Sequence, residues 1–194
     1  MNRRGRPWAL ALLLGGLSVT GLPGGARGAV AASGTTRPPA LAGTWYPDSP
    51  AILLATARNL LRQASVAPVP AGRPVALVVP HAGWAYSGVV AATAYRLLAP
   101  GAFGRVVVVA PSHHGAFEGY ALDDASAYRT PLGEIPVSRE AVEALKAPGL
   151  ARVVSGVTGP EHAVEIELPF LQAVLGRFSL VPVLVGRVDA AAQE

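Results

Sequence analysis

The apolar positions of the chain alternate between short continuous runs and stretches with helical spacing. Residues 75–79 and 106–110 are continuous apolar runs, a pattern typical of strands buried on both faces. Ser49-Pro50 marks a helix start, and the leucines and alanines after it recur at helical spacing as far as Gln63. Strands that alternate with helices predict an α/β fold with a largely parallel sheet and helices on both of its faces.

Weaker patterns predict the remaining elements. Pro169 must kink or divide the helix predicted over 161–175, because proline lacks the N–H that continues a helix. Pro182 is expected to interrupt the last strand in the same way. The other predicted elements are a helix over 89–98, a helix capped by Ser138, a strand over 152–155 and a final strand over 180–185.

The first 31 residues have the pattern of an export signal. A positively charged start precedes an apolar stretch over 8–22, and Ala29-Val-Ala31 fits a cleavage site. Residues 32–39 then predict a flexible leader, and 40–194 a single α/β domain. We expect an exported protein, periplasmic or extracellular, with no stable membrane anchor after signal cleavage. An uncleaved signal would instead tether the protein to the membrane.

The charge of the chain is concentrated in that signal. The formal net charge is +4, and the four arginines Arg3, Arg4, Arg6 and Arg27 lie in a segment that contains no acid. The rest of the chain is therefore neutral, so the high isoelectric point does not indicate nucleic-acid binding. The chain has no cysteine, which excludes disulfides and thiolate metal ligands within it.

Two histidines follow proline at the ends of predicted strands. His81 comes after the apolar run over 75–79, and His113 after the run over 106–110. Ligands of open α/β sheets bind outside the carboxyl ends of the strands, so the two imidazoles are candidates for one metal or substrate site. The alternative is that both are ordinary hydrogen-bonded or exposed histidines. His114 is either a further ligand or a residue that borders the site.

A third candidate segment contains Glu161, His162 and Glu165. On the predicted helix, His162 and Glu165 are three residues apart and share a face, a pair that suits metal binding or proton transfer. The alternative is a solvated acidic helix start, with Glu161 at the positive end of the helix dipole. Tyr86 is a candidate for the wall of the cleft. Arg129 either binds an anion or forms a structural ion pair.

Six segments occur in the order and spacing of one known family. They are Ala42-Gly-Thr-Trp-Tyr-Pro47, Pro80-His-Ala-Gly-Trp-Ala-Tyr-Ser-Gly88, Pro111-Ser-His-His114, Tyr128-Arg-Thr-Pro-Leu-Gly133, Glu161-His-Ala-Val-Glu-Ile-Glu-Leu-Pro-Phe-Leu-Gln172 and Val181-Pro-Val-Leu-Val-Gly186. By these motifs the chain resembles the Memo family, whose bacterial members are described as AmmeMemoRadiSam system protein B. The resemblance implies an α/β fold of the class III extradiol dioxygenase type.

The resemblance also implies roles for residues. His81 and His113 match two metal ligands, for iron or copper, and His162 matches a histidine that borders the same cleft. The family's third ligand is a cysteine from a later segment. We therefore expect the chain to be C-terminally truncated, to lack that ligand and part of the cleft wall, and to self-associate.

Three functions remain open from the sequence. The first is redox or dioxygenase-type chemistry at the metal, and the second is a non-catalytic module that binds a peptide or small molecule. The third is an inactive truncated member.

Overall fold

The computed structural model describes residues 34–65, 72 and 74–188, and within them two β-sheets and four α-helices form the fold. The strands are β1 (Thr36–Arg37), β2 (Arg105–Pro111), β3 (Tyr120–Leu122), β4 (Ala127–Thr130), β5 (Gly133–Pro136), β6 (Ala151–Val153) and β7 (Ser179–Val185). The α-helices are α1 (Pro50–Gln63), α2 (Trp84–Tyr95), α3 (Arg139–Lys146) and α4 (Leu168–Leu175), and a 3-10 helix spans Glu165–Glu167.

The larger sheet has the order β2-β7-β3-β6, and the smaller one has the order β1-β4-β5. In the larger sheet, β2 and β7 are parallel and β3 and β6 are parallel, whereas β3 and β7 are antiparallel. In the smaller sheet, β1 is parallel to β4, and β4 and β5 form a hairpin. The predicted α/β class is confirmed, with mixed sheets.

Strand β7 is the centre of the larger sheet. Its five middle residues are all buried, as the continuous apolar run predicts. Pro182 lies opposite Val108 within an unbroken strand, so the expected interruption is wrong. A proline removes one donor from the ladder, while β7 remains paired with β2 on one side and with β3 on the other.

The valine run over 75–79 does not form a paired strand, contrary to the prediction. The segment has no strand assignment, and Val75 and Val78 are exposed to solvent. Its counterpart β2 forms as predicted but is an edge strand, with Val107 and Val109 more than half exposed. Both runs are entirely apolar and rich in valine, and only β2 has β7 beside it to pair with its backbone groups.

The helices follow the sequence pattern with shifted bounds. Helix α1 begins at Pro50 and ends at Gln63 as predicted, and it buries Leu53 and Ala57. Helix α2 begins at Trp84, five residues before the predicted start at residue 89, because Trp84 is itself part of the core. Helix α3 follows Ser138, as predicted, although the Ser138 side chain makes no capping hydrogen bond. The strand expected over 152–155 is β6, slightly earlier in the chain.

The segment over 161–175 is divided near Pro169, as predicted, but its first part is not helical. Residues 161–164 precede the 3-10 helix, and Pro169 occupies the first turn of α4. His162 and Glu165 therefore do not share a face of one α-helix, and that part of the prediction is wrong.

Glu165 holds the beginning of the described chain against this segment. Its buried carboxylate accepts hydrogen bonds from the backbone N–H groups of Ala40 and Leu41 and from the Tyr46 hydroxyl, and it forms an ion pair with buried Arg37 at 3.4 Å. Because Arg37 also belongs to β1, the leader predicted over 32–39 extends too far.

The predicted signal segment, residues 1–31, lies outside the described residues. Among the helices that the structure describes, none is long and apolar enough to cross a membrane.

Replacing Glu165 with alanine is expected to destabilise the fold strongly. Removal of the carboxylate leaves the Arg37 guanidinium buried without its counter-ion, a change that costs about 3–5 kcal/mol of unfolding free energy. Glu134→Ala is the matched control, because the Arg129–Glu134 pair is about half exposed and should contribute about 0–1 kcal/mol. Urea denaturation followed by circular dichroism measures both values. Equal, small losses in the two variants would contradict the anchoring role of Glu165.

Candidate functional site

His113 lies in the loop that leaves the carboxyl end of β2. Pairing of β2 with β7 extends into this loop, since the Ser112 N–H donates to the Val185 carbonyl at 3.0 Å. The Ser112 hydroxyl donates to the His114 carbonyl at 3.1 Å and tightens the turn. The sheet thus fixes where the His113 side chain begins, at the sheet edge that the sequence predicts for ligand binding.

A buried carboxylate orients His113. Glu161, only 1% exposed, accepts the backbone N–H of His113 at 2.6 Å and faces its Nδ1 at 3.0 Å. The same carboxylate accepts the backbone N–H groups of His162 and Ala163, both at 2.9 Å. Arg37 donates to the Glu161 carbonyl and, through Nε, to the Gly159 carbonyl at 3.2 Å. Glu161 therefore connects the loop after β2 with the loop before the 3-10 helix.

The hydrogen bonds to Glu161 determine which atoms of Glu161 and His113 carry protons. Burial alone raises the pKa of Glu161, but the backbone hydrogen bonds from His113 and Ala163 and the His113 side chain lower it overall to about 2. An ionised carboxylate can only accept, so Nδ1 of His113 carries a proton. Four N–H groups are thus directed at the Glu161 carboxylate, three at Oε1 and one at Oε2.

Three imidazoles surround one point at this end of the sheet. The ring centroids are 5.2 Å apart for His81 and His113, 4.3 Å for His113 and His162, and 6.2 Å for His81 and His162. His81 comes from the segment before α2, and His162 from the loop that Glu161 anchors. The sequence placed His81 and His113 at neighbouring strand ends, and the structure brings both together with His162.

The site is suited to a cation. Ligand atoms of His113, Glu161 and His162 lie within 4.8 Å of one another, the one such group of three among the residues the structure describes. Burial is the main cause that lowers the pKa of His81 and of His162 below the ordinary value of 6.5, and in both rings the nearby His113 adds to it. Both rings are accordingly neutral at pH 7, the form in which imidazole binds metals.

An aromatic side chain forms one wall of the site. Trp45 meets His162 edge to face, with ring centroids 4.7 Å apart, and is partly exposed. The Trp84 backbone N–H donates to the Trp45 carbonyl at 2.9 Å, and the Trp84 indole donates to the Ile166 carbonyl at 3.2 Å. The buried Trp84 thus secures the segment that presents Trp45.

The other predicted residues lie at differing distances from the histidines. His114 is exposed and its ring is 6.1 Å from that of His162, so it borders the site. Tyr86 is exposed on α2, beside Trp45 in a surface depression. Arg129 pairs with Glu134 on the β4–β5 hairpin, which gives it the structural role. Glu165 directs its carboxylate to Arg37 and Tyr46, so the geometry lends no support to proton transfer by Glu165.

Sequence reasoning missed the contribution of Arg37, which it assigns to the leader. The segment Trp45-Tyr-Pro47 offers an aromatic wall for a pocket from the sequence alone, with the core as the alternative, but nothing in the sequence links Trp45 to His162. A weak signal existed for Arg37, because it is an isolated cation between two apolar segments. Its partners Glu161 and Glu165 are more than 120 residues away, and no local pattern reveals them.

Comparisons with known proteins identify the family of the chain. A family model described as "Memo-like protein" matches residues 37–194. The chain is 36% identical to "Protein memo-1 homolog" of Caenorhabditis elegans over 162 residues, which cover 82% of this chain and 45% of that protein. It is 37% identical to a "MEMO1 family protein" of Thermotoga neapolitana over 157 residues, covering 76% and 57%. A "MEMO1 family protein" of Ignicoccus hospitalis is 36% identical, covering 77% and 56%. The chain spans about half the length of these relatives.

Nuclear magnetic resonance should show distinct states for the histidines. In a long-range proton–nitrogen spectrum, His113 is expected to carry a proton on Nδ1, because Glu161 accepts there. His81 and His162 should gain their second proton only below pH 6.5, since burial disfavours the charged ring. Single His→Gln variants assign the signals. A His113 proton on Nε2, or titration of His81 and His162 above pH 6.5, would refute the described arrangement.

Proposed function

The chain belongs to the Memo-like protein family, and on this premise we propose that His81, His113 and His162 bind iron or copper and support redox or dioxygenase-type chemistry on a small molecule. The observation that carries the proposal is the meeting of three imidazoles beside a buried carboxylate that orients one of them.

The residues fit a metal by two criteria. Imidazole suits iron, copper and zinc, and the family resemblance favours the first two. Ligand atoms of His113, His162 and Glu161 lie within 4.8 Å of one another, and the His81 ring centroid lies 5.2 Å from that of His113 and 6.2 Å from that of His162. Three protein ligands leave at least one position open for substrate.

Each residue then has a distinct task. Glu161 keeps the proton on Nδ1 of His113 and so presents Nε2 to the ion. His162, neutral at pH 7, supplies a ligand or accepts a proton from the substrate. Trp45 covers one side of His162 and limits access of water there. A bound iron or copper ion would supply redox chemistry and polarise the substrate.

A second candidate function is a non-catalytic module that binds a peptide or small molecule. It is favoured by the apolar surface beside the histidines, where Trp45, Tyr86 and Val89 line a depression of about 480 Å³. An exposed aromatic wall is typical of recognition surfaces. In this case the histidines would contact the ligand directly, and removal of metal would leave binding unchanged.

We also propose that the protein is exported through the signal at residues 1–31 and is then periplasmic or extracellular.

Metal titration tests the proposed site. Calorimetry with Fe(II) under anaerobic conditions, and with Cu(II), should show one site per chain. His81→Ala, His113→Ala and His162→Ala should each weaken binding at least tenfold, and Glu161→Gln should weaken it about 10–100-fold through loss of orientation.

His114→Ala, in the same cluster but exposed, is the control and should change affinity less than about twofold. Unchanged binding in the first three variants would remove these residues from the site. Peptide or small-molecule binding that survives chelation would favour the second candidate.

N-terminal sequencing tests export. Protein recovered from the producing cell is expected to begin at Ala32, because the small residues Ala29 and Ala31 define the cleavage site. The control is protein made in a cell-free system without membranes, which should retain Met1. An intact Met1 on protein from the cytoplasm of the producing cell would contradict the proposal.

A further inference from the structure

Arg37 binds three separate points of the segment that carries His162. Its Nε donates to the Gly159 carbonyl at 3.2 Å, and its Nη2 donates to the Glu161 carbonyl. The same Nη2 lies 3.4 Å from Oε2 of Glu165, in an ion pair whose two side chains are almost fully buried. His162 follows the first two of these points in the chain and precedes the third. One guanidinium therefore holds the chain on both sides of His162.

This segment has no regular secondary structure that could hold it in place. Residues 154–164, between β6 and the 3-10 helix, form turns and irregular backbone. Carbonyl groups in such a segment are not paired within a helix or a sheet, so they need donors from elsewhere. Arginine suits this task because its planar side chain presents five N–H donors in a fixed fork. Arg37 thus supplies bonds that a helix or a strand would otherwise provide.

The smaller sheet determines where the Arg37 side chain lies. In the parallel pair of β1 and β4, Arg37 is the neighbour of Tyr128, and its guanidinium carbon lies 4.8 Å from the centre of the Tyr128 ring. The Tyr128 hydroxyl donates to the buried Asp123 carboxylate at 2.6 Å, and that carboxylate also accepts the Ala125 N–H at 2.9 Å. Because a cation is attracted to an aromatic face, the fixed ring holds the guanidinium in place.

The position of Glu161 links Arg37 to the histidines. Arg37 binds the backbone carbonyl of Glu161, whereas the Glu161 carboxylate accepts the backbone N–H groups of His113, His162 and Ala163. A shift of the Glu161 backbone would carry the carboxylate away from these donors and from Nδ1 of His113. His162 would move as well, because it is the next residue in the chain.

We propose that Arg37 is a positioning residue for the histidine site. Held on Tyr128, its guanidinium fixes the segment over 159–165, and this segment places Glu161 and His162. The expected effect on metal affinity rests on the proposed function, whereas the effect on the geometry of the site does not. The alternative is an arginine that only stabilises the fold.

Two variants of the full chain test the proposal. Arg37→Lys keeps a positive charge beside Glu165 but replaces the fork with one ammonium group, which cannot hold two carbonyls and a carboxylate in the same geometry. The double variant Arg37→Met with Glu165→Gln removes both charges, so no buried ion is left without a partner.

The control is Val142→Ala, which truncates a buried side chain on α3. Helix α3 packs against β6, so this change lowers the stability of the fold while the contacts of Arg37 stay in place. Urea denaturation measures the stability of every variant.

Amide hydrogen exchange of the metal-free protein, followed by nuclear magnetic resonance, reports the geometry of the site. In both Arg37 variants, the amides of His113, His162 and Ala163 should exchange about tenfold faster relative to the amides of β7, because their hydrogen bonds to Glu161 are lost. In Val142→Ala, these three amides should gain no exchange relative to β7, since the loss of stability is global.

Calorimetric titration with Cu(II), or with Fe(II) under anaerobic conditions, reports the consequence for binding. Metal affinity should fall about tenfold in both Arg37 variants, the lower end of the range for residues that orient metal ligands. In Val142→Ala it should change less than about twofold, because the ligands and their supporting residues are unaltered.

Unchanged exchange of the three amides in the Arg37 variants would overturn the proposal, and so would wild-type metal affinity in Arg37→Lys. An equal loss of affinity in Val142→Ala would show that Arg37 only stabilises the fold. A wild-type chain that binds neither metal would contradict the proposed function, while the exchange measurement would still decide the role of Arg37. The two proposals therefore fail separately.

Discussion

Three buried carboxylates on one short segment hold the fold together. Glu161 accepts N–H groups from the loop after β2, Glu165 accepts donors from the first described residues, and Glu167 accepts the Tyr95 hydroxyl of α2. Burying an ionised carboxylate is costly unless several donors surround it, so each glutamate is tied to a particular partner. The segment over 161–167 therefore acts as a hub that fixes three separate parts of the chain. The site exists because the first of these carboxylates ends beside His113.

The sequence pattern predicts what depends on local chemistry. Proline at residue 50 and the leucine spacing after it define α1, and the valine runs identify β2 and β7. Pairing is not local, however. Residues 75–79 are as rich in valine as β2 and have no neighbouring strand in the described structure, so the same composition gives an unpaired segment. Likewise, Glu161 and Glu165 resemble a solvated helix start, whereas each carboxylate accepts donors that are distant in the chain, from His113 for Glu161 and from Ala40 for Glu165.

The same distinction applies to the site. The sequence predicts that His81 and His113 share a site because both follow apolar runs, but residues 75–79 pair with no strand in the described structure, so the argument from strand ends holds for His113 alone. The part played by Glu161 cannot be predicted, since it depends on Nδ1 of His113 lying 3.0 Å from a carboxylate that is itself held by backbone N–H groups. Trp45 shows most clearly what local sequence patterns cannot predict, because no local pattern indicates that it lies beside His162.

The length of the loops that the hub closes has a consequence for how the protein is made. The bonds from Tyr46 and Ala40 to Glu165 join partners 119 and 125 residues apart, and that between His113 and Glu161 spans 48. Contacts so distant in the chain form late in folding, because the entropy of closing long loops is lost before the contact stabilises anything. On the ribosome, β2 and His113 emerge well before Glu161 does. The imidazoles thus stay unorganised until most of the described chain has been synthesised.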